Sequence, residues 1–148
     1  MRSHARGVRV AIVAESFLPH VNGVTNSVLH VLRHLEREGH EALVIAPQGA
    51  ALSQASPSGA AIDWAAMNLA HVETALLPAM PLPTYPDVRI SAPRAARITG
   101  ILRDFQPDVV HLASPFVLGW QAQVAADALR VPTVSVYQTD VIAYAQRY

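Results

Sequence analysis

Runs of apolar residues alternate along this chain with segments in which apolar residues recur every three or four positions. Four short runs stand out: 8–14 ("VRVAIVA"), 41–46 ("EALVIA"), 108–112 ("DVVHL") and 133–137 ("TVSVY"). Their apolar residues are mostly consecutive and β-branched, the pattern of parallel strands covered on both faces. Segment 70–76 is a weaker fifth strand candidate. Between these runs the period changes. Val24, Val28, Val31, Leu32 and Leu35 form one helical stripe, and Gly39 follows as a natural C′ residue. Ala95, Ile98, Ile101, Leu102 and Phe105 form a second stripe, bracketed by Pro93 and Pro107. A third helix is expected over 116–130, with Gly119, Ala122 and Ala126 at close-packing spacing. Strand and helix in this alternation predict an α/β domain with a doubly wound, Rossmann-like parallel sheet.

Two segments break the rhythm. Residues 48–66 are rich in Ser, Ala, Gly and Pro with almost no charge, and read as a flexible surface insertion. Residues 76–86 ("LLPAMPLPTYP") read as an extended, proline-rich connector.

Composition narrows the possibilities. The chain has 148 residues, 51% of them hydrophobic and 15% charged, enough to bury the core of one domain. Eleven basic and eleven acidic residues balance to a formal charge of zero, so no global field draws the chain toward nucleic acid. Cysteine is absent, which removes disulfide and thiolate chemistry and fits a reducing compartment. The basic and then apolar opening is too short and too soon interrupted to read as a signal peptide, and no apolar stretch reaches membrane-spanning length. These features predict a cytoplasmic protein.

In an open parallel sheet, ligands sit beyond the carboxyl ends of the strands, where the strand order reverses. That rule selects the loops 15–23, 113–115 and 138–140. The first delivers Asn22, Gly23 and Val24 to a helix start, where unpaired N–H groups and the helix dipole favour a phosphate. "NG" is equally an ordinary turn dipeptide. Neither G-x-G-x-x-G nor a Walker A lysine is present. His111 reads either as a core histidine or as a cleft residue near a strand's carboxyl end, and Asp140 either caps a turn or faces the cleft. His30 and His34 have metal-ligand spacing but lie opposite the apolar stripe and lack the Glu of H-E-x-x-H, so they read as a solvated face; no metal site is expected. Arg94, Arg97 and Arg103 decorate the second helix, as a solvated face or as a contact for anionic lipid headgroups.

Taken together, "RVAIVAESFLPHVNGVTNSVLHVLRHLEREGHEALVIAP", "FQPDVVHLASPFVLGWQA" and "VPTVSVYQTDVIAYAQRY" resemble the N-terminal domain of family 4 retaining glycosyltransferases, and within them the actinobacterial GDP-mannose-dependent α-mannosyltransferases that build envelope glycolipids. Sulfolipid synthases look similar in the same segments. The resemblance implies the N-terminal half of a GT-B enzyme, whose two Rossmann-like domains close over a nucleotide sugar. It implies donor-phosphate binding at Asn22, Gly23 and Val24. Acceptor contacts are implied from Glu15, His20, Ser114, Tyr137, Gln138 and Thr139, and catalytic roles for Asp140 and His111. No cofactor is implied beyond the donor, GDP-mannose or alternatively a UDP-sugar. The implied partner is a lipid-linked or glycolipid acceptor at the inner face of an anionic membrane. Donor-base recognition belongs to a C-terminal domain outside these 148 residues, and "VIAYAQRY" reads as an element cut short. Activity of this segment alone is therefore not expected. One departure matters: relatives carry His-x-His where this chain has His111 and Ala113, and sulfolipid-type relatives carry His at the positions of Gln138 and Asp140. Asp140 is expected to take over part of the missing histidine's role by orienting the acceptor hydroxyl. A non-catalytic nucleotide- or glycan-binding module is the different-class alternative.

Overall fold

The structure is a computed structural model and describes residues 6–15, 17, 23–48, 65–81, 83–84, 89–90, 95–114 and 117–136. Five parallel strands form the central sheet in the order β3-β2-β1-β6-β7: β1 (Arg9–Val13), β2 (Glu41–Pro47), β3 (Val72–Leu77), β6 (Val109–Leu112) and β7 (Thr133–Ser135). Helix α1 (Gly23–Arg37) joins β1 to β2; α2 (Ala95–Phe105) precedes β6, and α3 (Val117–Ala128) joins β6 to β7. The chain thus works outward from β1 on one side, then returns to the other side of β1. That reversal makes β1 and β6 the switch point of a doubly wound sheet, as the sequence pattern predicts.

Alternation within β1 divides the core in two. Val10, Ile12 and Ala14 pack with Val28 and Leu32 of α1, whereas Ala11 and Val13 pack with Ile98, Leu102 and Phe105 of α2 and with Leu118 and Ala122 of α3. Both faces of the central strands are covered, which is why their sequences read as continuous apolar runs. Helix α1 also buries Thr25 completely, a polar position that an apolar stripe does not reveal.

The helix ends explain their own positions. After α1, the N–H of Gly39 donates to the Glu36 carbonyl at 3.2 Å and that of His40 to the Leu35 carbonyl at 2.8 Å, with Gly39 at φ 76°. This is the left-handed cap expected from the sequence. After α3 the same pattern recurs with Arg130 at φ 55°: its N–H donates to Asp127 at 3.1 Å, and that of Val131 to Ala126 at 2.9 Å.

Four expectations change. The sequence pattern marks 133–137 as a strand buried on both faces; β7 instead spans Thr133–Ser135 and forms an edge among the described residues, with Val134 52% exposed. An edge strand has a neighbour on one side only, so its burial is lower than its β-branched sequence suggests. The proposed connector 76–86 loses its first two residues to β3, and Met80–Pro81 (β4) pairs antiparallel with Arg89–Ile90 (β5). A two-residue bridge containing proline has too little periodicity to be seen in a sequence. The proposed insertion 48–66 is overlapped at its end by a 3₁₀ turn, Ala65–Met67, after which Leu69 is buried in the α1-side core. The fifth strand lies at Val72–Leu77, shifted from 70–76 because Ala70 and His71 give their N–H groups to the carboxylate of Glu36.

Candidate functional site

The carboxyl ends of β1 and β6 open the crevice. One further backbone bond extends each strand: the Ala14 N–H donates to Ile45 at 3.0 Å, and the Ala113 N–H to Val13 at 2.9 Å. Phe17, 3% exposed, anchors the first loop into the α1-side core, and the chain re-enters described structure at Gly23, the first residue of α1.

Gly23 is exposed, and a side chain built on it would meet nothing within 4 Å among the described residues. Packing therefore does not demand glycine here. The first turn of α1 carries no acidic residue, and its leading N–H groups have no partners within the helix. Open space, a missing side chain and the positive end of a 15-residue helix together make a place where an anion can approach the backbone. Val24 is half-buried against the α1-side core and holds that turn down.

The opposite wall is built differently. Glu15, half-buried, reaches across and accepts a hydrogen bond from the Gly119 N–H in the first turn of α3 at 3.0 Å. A carboxylate at a helix N-terminus satisfies an orphan donor and complements the dipole. Gly119 lies so close to the Ser114 carbonyl that any side chain would overlap that oxygen. Ser114 itself is 4% exposed, so the β6 loop is pressed between β1 and α3. Sequence spacing identifies Gly119 only as a packing residue; its part in fixing both crevice loops needs three segments brought together from across the chain.

His111 is the third residue of β6, in register between Ile12 of β1 and Val134 of β7. Val110 and Leu112 join the α2–α3 core, so alternation turns His111 to the α1 face, with Val109 and Ala113. Burial falls away there toward β7, leaving His111 half-buried. Loss of solvent pushes its pKa below the ordinary 6.5, so the neutral imidazole is the favoured form.

Of the residues singled out from the sequence, Glu15, Gly23, Val24, His111 and Ser114 belong to the elements around the switch point. His20, Asn22, Tyr137, Gln138, Thr139 and Asp140 lie outside the described residues. His30 and His34 are exposed on α1, as are Arg97 and Arg103 on α2, while Arg94 lies outside the described residues. No helix among the described residues is long and apolar enough to cross a membrane.

A five-stranded parallel sheet whose strand order reverses between β1 and β6 defines a doubly wound, Rossmann-like α/β domain. The family model of Glycosyltransferase Family 4 matches residues 21–148, and the chain belongs to that family. It is 48% identical to a GDP-mannose-dependent alpha-mannosyltransferase of Corynebacterium glutamicum, over 97% of this chain and 32% of that protein. A Mycobacterium tuberculosis protein of the same description is 51% identical, over 96% of this chain and 35% of its own length. Among solved structures, a glycosyltransferase from Rickettsia africae superposes with a TM-score of 0.56 at 16% identity, covering 91% of this chain and 32% of that one, a likeness of fold. The chain thus spans about a third of the length of the curated relatives it matches.

Proposed function

We propose that this chain is the N-terminal, acceptor-side domain of a retaining glycosyltransferase that moves mannose from GDP-mannose to a lipid-linked or glycolipid acceptor. The observation that carries the reading is Gly23, open to solvent at the start of α1 and directly beyond β1 of the switch point. In this reading the helix start faces the donor pyrophosphate. Its fixed N–H dipoles then stabilise the negative charge that grows on the leaving phosphate as the glycosidic bond breaks. The mannosyl donor is supported by the identity of 48–51% to relatives described as GDP-mannose-dependent.

The β6 loop and Glu15 form the wall against which the acceptor lies. Glu15 acts chiefly through Gly119, because its carboxylate is engaged by the α3 start. Asp140, five residues beyond the last residue of β7 in the sequence, orients the acceptor hydroxyl in this reading, and His111 shapes the crevice floor. The reaction takes place on the cytoplasmic side, where the acceptor is presented at a membrane surface.

The test uses the protein as its native source makes it, assayed for transfer of labelled sugar from GDP-mannose and from UDP-glucose into a lipid-extractable product. Preferential transfer from GDP-mannose supports the reading. Preference for UDP-glucose overturns the donor, and transfer from neither in a protein that binds a nucleotide or a glycan replaces the enzyme with a binding module. Asp140→Asn is expected to cut turnover sharply with donor affinity nearly unchanged; normal turnover in that variant removes the role given to Asp140.

A further inference from the structure

Helix α3 is apolar on two opposite sides. Leu118, Gly119, Ala122, Ala125 and Ala126 are buried, and Asp127 is the only charged residue of the helix. Yet Val117, Trp120 and Val124 are exposed, Trp120 at 62%. They stand at i, i+3 and i+7, within an arc of about 60°. Gly119 looks toward Ser114 and Glu15, and Val117 and Val124 lie about 140–160° round the axis from it, so the stripe occupies the outer flank. A helix that is apolar on its inner and outer sides has the pattern of one covered on both.

The occupant follows from how the chain leaves β7. The Val136 N–H donates to the Leu112 carbonyl at 3.1 Å, so the ends of β6 and β7 lie side by side. Five residues past Leu112 comes Val117, the first residue of the exposed stripe, and five residues past Val136 comes Val141. Val141 opens a second apolar stripe, because Val141, Tyr144, Ala145 and Tyr148 stand at i, i+3, i+4 and i+7. Both stripes have the same length, about 10 Å of helix axis. A right-handed continuation past β7 also stays on the face of the sheet that carries α3.

We propose that the outer flank of α3 is the seat of segment 141–148, packed as a helix alongside α3, with Tyr144 level with Trp120 and Tyr148 level with Val124. An aromatic pair and the flanking valines then close the surface that α3 leaves open. The small size of the flank favours a tethered segment over a second copy of the chain. Its three side chains expose roughly 300 Å², whereas a stable complex buries about 800 Å² on each partner. A segment joined to β7 by a few residues is held nearby by the chain itself, and needs less area. Residues 138–140 are then held from both ends, by β7 and by the seated helix.

The experiment is hydroxyl-radical footprinting of the protein as its native source makes it, read by mass spectrometry at Trp120. Met80, 76% exposed, serves as the open reference and the fully buried Leu118 as the closed one. Once intrinsic reactivities are divided out, Trp120 is expected to label at least about threefold more slowly than Met80, and Y144S/Y148S to remove that protection while Leu118 stays unlabelled. Independently of any effect of that variant on folding, p-benzoylphenylalanine in place of Trp120 is expected to cross-link to residues 141–148. Trp120 labelling as readily as Met80 in the parent, or cross-links only elsewhere, overturns the seat. Protection that persists in Y144S/Y148S means that another part of the protein covers α3, and protection that fades on dilution means that a second copy does; either result overturns segment 141–148 as the occupant.

Discussion

The two ends of the central sheet use their polar groups in opposite ways. At the amino end the groups around Arg9 are tied together. The Arg9 N–H donates to Asp108 Oδ2 at 2.8 Å, the Asp108 N–H donates to the Arg9 carbonyl at 2.8 Å, and Arg9 Nε donates to the Phe105 carbonyl at 2.9 Å. The same guanidinium lies 4.4 Å from the centre of the Phe105 ring and pairs with Glu41 at 2.6 Å. At the carboxyl end, the side chain of Glu15 reaches Gly119 and braces the crevice wall, while the exposed Gly23 at the start of α1 carries no side chain.

The contrast is sharpest between two glycines, and the largest effect is expected at the wall. Gly119→Ala should lower stability by about 2–3 kcal/mol, because its methyl group must displace the Ser114 carbonyl or the α3 start. A urea midpoint unchanged from the parent would mean that the wall is not built as described. Gly23→Ala should do the reverse. Its methyl group enters open space and removes a helix glycine, so stability stays level or rises by up to about 1 kcal/mol. GDP-mannose affinity in the complete enzyme should nevertheless fall about tenfold, or about 1.4 kcal/mol. Equal loss of fold and of binding would erase the distinction.

Glu15→Ala is expected to cost about 1 kcal/mol, as the loss of a helix cap does, and Glu15→Gln less, because its amide oxygen can still accept from Gly119. Chemical denaturation of the two variants side by side separates hydrogen bonding from charge. Arg130→Gly should instead gain about 0.5–1 kcal/mol, since it relieves a side chain held at φ 55°.

The smallest effect is one of pH. The folded protein holds the His111 pKa below the unfolded value near 6.5, so between the two values the unfolded chain binds more protons and stability rises with pH. The contribution is complete above 6.5, declines as pH falls below it, and levels off beneath the folded pKa. Comparing melting temperatures at pH 7.5 and 5.5 in the parent and in His111→Gln isolates this slope. Glu36, also depressed, loses its contribution only as pH falls below its ordinary 4.5, in a separate window.

Legibility in the sequence followed how local the physics was. The stripe from Val24 to Leu35 and the cap at Gly39 depend on residues within a few turns, and α1 appears where the stripe places it. Arg130 adopts the same capping geometry without the glycine that would have advertised it. Gly23 could be recognised as a helix start, but that packing leaves space around it is a property of the folded surroundings. Gly119 looked like a small residue on a packed helix; its contacts with Glu15 and Ser114 join segments more than a hundred residues apart in one case and adjacent in the other.

Hydrophobic period and β-branched runs were enough to establish the parallel α/β class, because each element's burial is written in its own few residues. Strand order, the reversal between β1 and β6, and the side on which His111 faces were decided only in three dimensions. Those features depend on which surfaces meet when distant segments pack, and the same short apolar strand can satisfy its backbone at the centre of a sheet or at its edge.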